Sequence, residues 1–320
     1  MKKLFCSFLL IFYILNFAQI LPKITYQDFG CAKPVAKIEI IYYSFQNKIA
    51  IDKRKEVCIF NKEGKIEKII REDYDNNSKS EINYFYKNSL LAKETLINKG
   101  NSTENYDLNY IYNKENKLIS TDYKSQEYNE TYNYKYKGKN LTKAVGESDG
   151  DKFNEEYFYD KNNNLYKLKR TDSSGDENYY TTILYLKGVE IGGYSQDYEY
   201  PYFVFKNKKT EINYTIISEK GIEKLKNLEK DLEKGTALDG EDLNNQIYQM
   251  AEKKVDAEFS FGNFNLIKDG TIVANVDLEK HGNNPEFISF RKIYFSDGTE
   301  LGTTDFDIFI YNEIKYLLKK

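Results

Sequence analysis

Tyr157-Phe158-Tyr159-Asp160-Lys161-Asn162-Asn163-Asn164-Leu165 decides the reading of this 320-residue chain, because near copies of it stand on both sides. The same Tyr-x-Tyr, polar turn and apolar residue occur at Tyr84-Phe85-Tyr86 to Leu90, Tyr110-Ile111-Tyr112 to Leu118, and Tyr134-Lys135-Tyr136 to Leu141. Degenerate copies flank them, Phe60 to Ile66 upstream and Tyr185 to Val189 and Phe205 to Ile212 downstream. The aromatic before each turn recurs every 20 to 26 residues between Phe60 and Phe205. A period of that size signals a modular array.

Each unit has a physical reading. In Tyr-x-Tyr both rings lie on one face of a strand, since side chains alternate with period 2. The Asn, Asp, Lys and Gly that follow tolerate the left-handed backbone a tight reversal needs. Alternation such as Leu165-Tyr166-Lys167-Leu168 carries the chain back. The expected fold is mainly β: an antiparallel meander of about seven hairpins of ~24 residues, with an α-helical hairpin and a C-terminal β segment. Isolated hairpins are unstable, so neighbours must stack to bury the tyrosine stripe.

The spelling at Tyr157 to Leu165 resembles the YD repeat of the RHS/YD-repeat proteins, secreted or surface proteins built of β-hairpin strips. The likeness covers Cys58 to Ile212. Asn163-Asn164 stand where the family has Gly-Arg, only one of the four clear units has Asp after Tyr-x-Tyr, and the self-cleaving core motif is missing. Carbohydrate or surface binding is what the resemblance implies.

Around the array the chain divides into a signal peptide (1–18), an N-terminal β cap (19–57), the repeats (58–214), a helical hairpin (215–256) and a C-terminal β segment (257–320). Lys2 and Lys3 precede the apolar run Leu4 to Phe17, and Ala18 is a cleavage point. The run is short of the ~20 residues that span a bilayer. Membrane contact is therefore expected only through an uncleaved leader, and the mature chain is expected to be exported, to the periplasm, the cell surface or the medium. With 47 basic and 50 acidic residues the formal net charge is −3. Nucleic acid is not an expected partner at that balance.

Ile222, Leu225, Leu228 and Leu232 make one helical face between Ser218 and Gly235, and Asp239 opens a second helix through Leu243, Ile247 and Met250. From Ala257 strands return, with Asp269-Gly270 and Asp297-Gly298 as turns. They form either a second small β-domain or the closing sheet of the first. An uncovered meander edge would pair with another chain.

Chemistry is sparse. His281 is the one histidine and lies in a polar stretch, so Ser-His, Cys-His and zinc schemes lack parts, and no metal or cofactor is expected. No catalytic residue is assigned. Paired carboxylates are the enzymatic option the composition leaves open, with Glu155 and Glu156, or Asp305 and Asp307, as examples. Ser148 to Glu156 has calcium-loop oxygens in the wrong order and reads as a hairpin connection. Cys31 and Cys58 form a disulfide or remain two buried thiols. The tyrosines Tyr84, Tyr86, Tyr110, Tyr112, Tyr134, Tyr136, Tyr157 and Tyr159 are core packing or binding residues, since a tyrosine ring packs while its hydroxyl reaches water. The function read from these features is that of a non-catalytic exported binding or structural module, with a glycan, a cell-envelope component or a cell-surface protein as its partner. A carboxylate-dependent glycan-active enzyme and an RHS-type toxin accessory are the alternatives.

Overall fold

The computed structural model describes residues 25–46, 49–99, 105–148, 151–174, 177–196, 199–206, 210–215, 219–238, 242–243, 245–246, 255–268, 271–281 and 284–304. The expected leader, the Ser218 cap, most of the second helix and the strand expected at Asp305 to Tyr311 lie outside them.

The strands are β1 (Val35–Gln46), β2 (Ile49–Phe60), β3 (Ile66–Asp73), β4 (Ser78–Lys87), β5 (Leu90–Lys99), β6 (Tyr106–Tyr112), β7 (Leu118–Ser125), β8 (Asn129–Lys137), β9 (Asn140–Ser148) and β10 (Asp151–Tyr159). There follow β11 (Leu165–Ser174), β12 (Glu177–Leu186), β13 (Val189–Ser195), β14 (Tyr202–Lys206) and β15 (Thr210–Thr215), then helix α1 (Glu219–Lys234). The last strands are β16 (Val255–Lys268), β17 (Thr271–His281), β18 (Asn284–Phe295) and β19 (Glu300–Gly302). All belong to one 19-stranded antiparallel sheet, paired in chain order. The expected meander is the fold.

The C-terminal strands join the first sheet and form no second domain, because β18 pairs with β1 from Val35↔Phe295 to Ser44↔Phe287. Among the described residues β1 is thus laddered on both sides, by β2 and by β18. The open N-terminal edge that the meander implied is covered. The cap boundary drawn at Cys58 falls inside β2, and His281, expected in a polar loop, ends β17 opposite Phe259 and Asn284.

The first six hairpins of the array repeat one local device, which the seventh, β14 with β15, lacks. The ladder register shifts next to the aromatic before the turn: at Ile59/Phe60, Phe85/Tyr86, Ile111/Tyr112, Lys135/Tyr136, Phe158/Tyr159 and Leu184/Tyr185. A bulge adds twist, so the repeated shift coils the meander in one sense.

Turns of two kinds alternate. Asn61, Asn113 and Asp160 each use Oδ1 to accept two backbone N–H groups of their own loop; for Asp160 these are Asn162 at 2.9 Å and Asn164 at 2.7 Å. The intervening hairpins reverse on left-handed Asn88-Ser89, Gly138 and Lys187-Gly188. Asp in the YD spelling is therefore an acceptor, and Asn113 does the same work in a unit that lacks it.

Two tyrosines lie over glycines on the covered face. A Cβ at Gly146 would meet the Tyr132 ring at 2.7 Å, and one at Gly193 would meet the Tyr202 hydroxyl at 2.8 Å. The opposite face carries α1 and is also buried at Ile41, Val276, Ile288 and Phe290. Leu225, Leu228 and Leu232 bury the predicted helical face against Tyr166, Leu184, Tyr194 and Phe203, each leucine contributing ~1.5–3 kcal/mol. Glu229 Oε1 binds Lys167 Nζ at 2.9 Å, and its Oε2 accepts from Tyr194 Oη at 2.8 Å. Gly235, at φ 62°, ends the helix by donating to the Leu232 carbonyl. Of the second helix, Leu243 is described, and it packs in the same cluster.

Candidate functional site

The eight repeat tyrosines share one face of the sheet, opposite α1. Tyr84 and Tyr110 are buried and the other six are half-buried. Three of the second tyrosines fasten one hairpin to the one before it. Tyr86 Oη donates to the Ile66 carbonyl at 2.8 Å, Tyr112 Oη to Leu91 at 2.8 Å, and Tyr159 Oη to Leu141 at 2.9 Å. In each case the acceptor is the apolar residue just after the preceding hairpin's turn. The spelling Tyr-x-Tyr…Leu thus encodes a bond between units as well as a strand.

The first tyrosines meet acids and hydroxyls. Tyr110 Oη donates to Glu94 Oε2 at 3.5 Å, beside Tyr106 Oη on Oε1 at 2.5 Å. Tyr157 Oη donates to Glu155 Oε2 at 2.5 Å, and Tyr134 Oη lies 3.1 Å from Thr121 Oγ1. Burial pushes the Tyr110 and Tyr157 hydroxyls well up, and the Glu94 carboxyl up as well. Tyr86 is raised to about 12 by the same cause.

Glu155 and Glu156 do not form a catalytic pair. Glu155 is buried on the tyrosine side, held by Arg170 Nε at 3.0 Å and Nη2 at 2.5 Å. Glu156, the next residue on the strand, faces the other way, 3.9 Å from Lys143. Asp305 and Asp307 are outside the described residues.

Cys31 and Cys58 are two free, buried thiols, the second of the two alternatives the sequence left open. Each has its own neighbour in one apolar cluster. Cys31 Sγ lies 3.9 Å from the Phe29 carbonyl, and Cys58 Sγ 3.6 Å from Glu56 Oε1. Desolvation and the Glu56 carboxylate hold the Cys58 thiol protonated, far above its ordinary value.

Sequence reasoning passed over a polar basin on the tyrosine face. Toward the turn that joins β3 to β4, the face that is apolar at Cys58, Ile69 and Ile82 becomes charged. Glu56, Arg71, Ser80 and Asn98 stand in one cross-strand row, and Arg54, Asp73 and Ser78 in the next. They line a basin of about 440 Å3 with Tyr42 and Ser44 of β1 and with Lys55, Glu72, Lys79 and Lys99. Arg71 Nε binds Glu56 Oε2 at 2.8 Å, and Arg54 Nε lies 3.6 Å from Asp73 Oδ2. Asp73 is held below the usual carboxylate range, first by the Asn76 side-chain amide and then by Asn76 and Asp75 backbone N–H groups and Arg54. The available signal was the alternation in Arg54, Glu56 and Cys58, where the buried-face parity passes from apolar to ionic.

No protein-family model matches the sequence, and no curated protein matches it. Similar solved structures include the following two. A porin-like protein from Bacteroides uniformis ATCC 8492 covers 82% of this chain and 97% of its own, with TM-score 0.36 and 10% identity. A chain of the TcdB2-TccC3-Cdc42 complex covers 71% of this chain and 14% of its own, with TM-score 0.28 and 8% identity. Scores this low establish no shared fold.

Among the described residues no group of three or more His, Cys, Asp and Glu is placed to hold a metal ion, and no helix is long and apolar enough to cross a membrane. The face opposite the tyrosines carries the pairs Lys68–Glu81, Lys79–Glu72 and Lys93–Asp107.

Proposed function

We propose that the protein is an exported, non-catalytic recognition module that takes a glycan of the cell envelope in the basin between β1 and β5. The observation that carries this reading is the lining itself. Arginine, carboxylate, amide and hydroxyl groups converge with one tyrosine in a cavity of about 440 Å3. Planar side chains that donate and accept in pairs suit the vicinal hydroxyls of a sugar, and a tyrosine supports its apolar face. The basic start and apolar run at the N-terminus support export.

Binding is favoured over turnover. A glycosidase needs one carboxyl raised to serve as acid, whereas Asp73 is held low and Glu56 is tied to Arg71. The test is binding of the purified protein to a broad glycan and peptidoglycan-fragment array, with product analysis of each hit. Binding without product, weakened tenfold or more by Arg54→Ala, is expected. Silence across the array, or release of product, overturns the reading.

A further inference from the structure

We infer that the basin is one end of a longer track, so that the ligand is an oligosaccharide of several units, bound along the strand ends from β5 to β8. This rests on the glycan reading of the basin and deepens it. The basin ends at Asn98 and Lys99 of β5. The next strand begins beside it, because the Asn98 backbone N–H donates to Asn105 Oδ1 at 2.6 Å and Leu96 pairs with Tyr106.

Tyr106 opens a short row of rings on the same face. Its centroid is 5.0 Å from that of Tyr123 on β7, and Tyr123 stacks at 5.1 Å on Tyr128 at the β7–β8 turn. Tyr123 is buried against the other two rings, while Tyr106 and Tyr128 are half-buried and keep an outer side toward solvent. The Ser125 side chain holds the turn, accepting from the Tyr128 backbone N–H at 3.1 Å and donating to the Tyr128 carbonyl at 3.0 Å, which places that ring.

A polar basin that runs into a fixed row of rings suits a chain of sugars. Its hydroxyls engage the charged end, and the apolar faces of later units lie against tyrosine. Fixed aromatic rings give contact area at little entropic cost. A monosaccharide would use the basin alone. A chain gains with each added unit until the row ends.

The experiment is calorimetric titration of the purified protein with oligosaccharide ladders of two to eight units, drawn from the families that bind on the array. Affinity is expected to rise about tenfold between two and six units and then level, tenfold being 1.4 kcal/mol. Tyr128→Ala is expected to bring the six-to-two ratio close to one, while Tyr128→Phe keeps it. Thermal unfolding of both variants checks the fold. Equal affinity at all lengths, or a length dependence untouched by Tyr128→Ala in a folded protein, overturns the track and leaves the basin reading standing. Failure of every oligosaccharide to bind overturns both.

Discussion

Replacing Tyr112 by Phe removes one atom and one bond, the 2.8 Å contact from Tyr112 Oη to the Leu91 carbonyl that ties the third hairpin to the second. The ring stays, so no cavity forms. A side-chain to backbone bond of this kind contributes ~1 kcal/mol net, and a buried acceptor left unpaired raises the cost toward ~2 kcal/mol. Tyr86→Phe and Tyr159→Phe remove the equivalent bonds to Ile66 and Leu141. The first two staples lie two strands apart, roughly 10 Å, and the third lies four strands further on, separations at which mutational costs nearly add. Each single change should lower the unfolding free energy by ~1–2 kcal/mol and the triple change by ~3–5 kcal/mol. Urea unfolding followed by far-UV circular dichroism measures this, with Tyr74→Phe, an exposed ring, as the control near zero. Binding in the basin should be unchanged by all of them. The staple reasoning fails if the triple variant loses less than ~1 kcal/mol at an unchanged denaturant slope. If instead the tyrosines are the binding platform, the triple variant loses ligand while keeping its stability.

Two other perturbations test the packing. Glu229→Ala leaves Lys167 half-buried without its carboxylate and strips Tyr194 of its acceptor, so α1 should loosen at a cost of ~3 kcal/mol, read as faster amide exchange through Leu225 to Leu232. Stability should also fall steeply in alkali. Burial raises the hydroxyls of Tyr86, Tyr112, Tyr136 and Tyr159 above the unfolded value near 10. The folded chain therefore holds protons that the unfolded chain releases, and its advantage, full below about pH 10, is lost as pH rises through the folded values. Titration at 295 nm should show these tyrosines ionising together with loss of ellipticity. Independent ionisation near pH 10 with the fold intact would contradict their burial.

The array was legible because its determinants are local. Period-2 alternation put Tyr157 and Tyr159 on one face, Asn and Gly marked the reversals, and spacings of three and four placed Leu225, Leu228 and Leu232 on one helical face. None of these needs a distant partner. Three features did. That the strands after Ala257 complete the first sheet depends on β18 finding β1, a pairing across some 250 residues that periodicity does not encode. That Glu155 is buried and meets Arg170, while Glu156 stays near Lys143, depends on how β10 pairs with its neighbours and on which face is buried, properties of the assembled sheet. The basin exists because Arg54, Glu56, Arg71, Asp73 and Ser80, unremarkable on their own strands, come into adjacent rows once the registers of β2, β3 and β4 are set. A strand's residues determine which side chains share a face, while register, set by turns, bulges and the burial of whole rows, determines which neighbours those side chains meet.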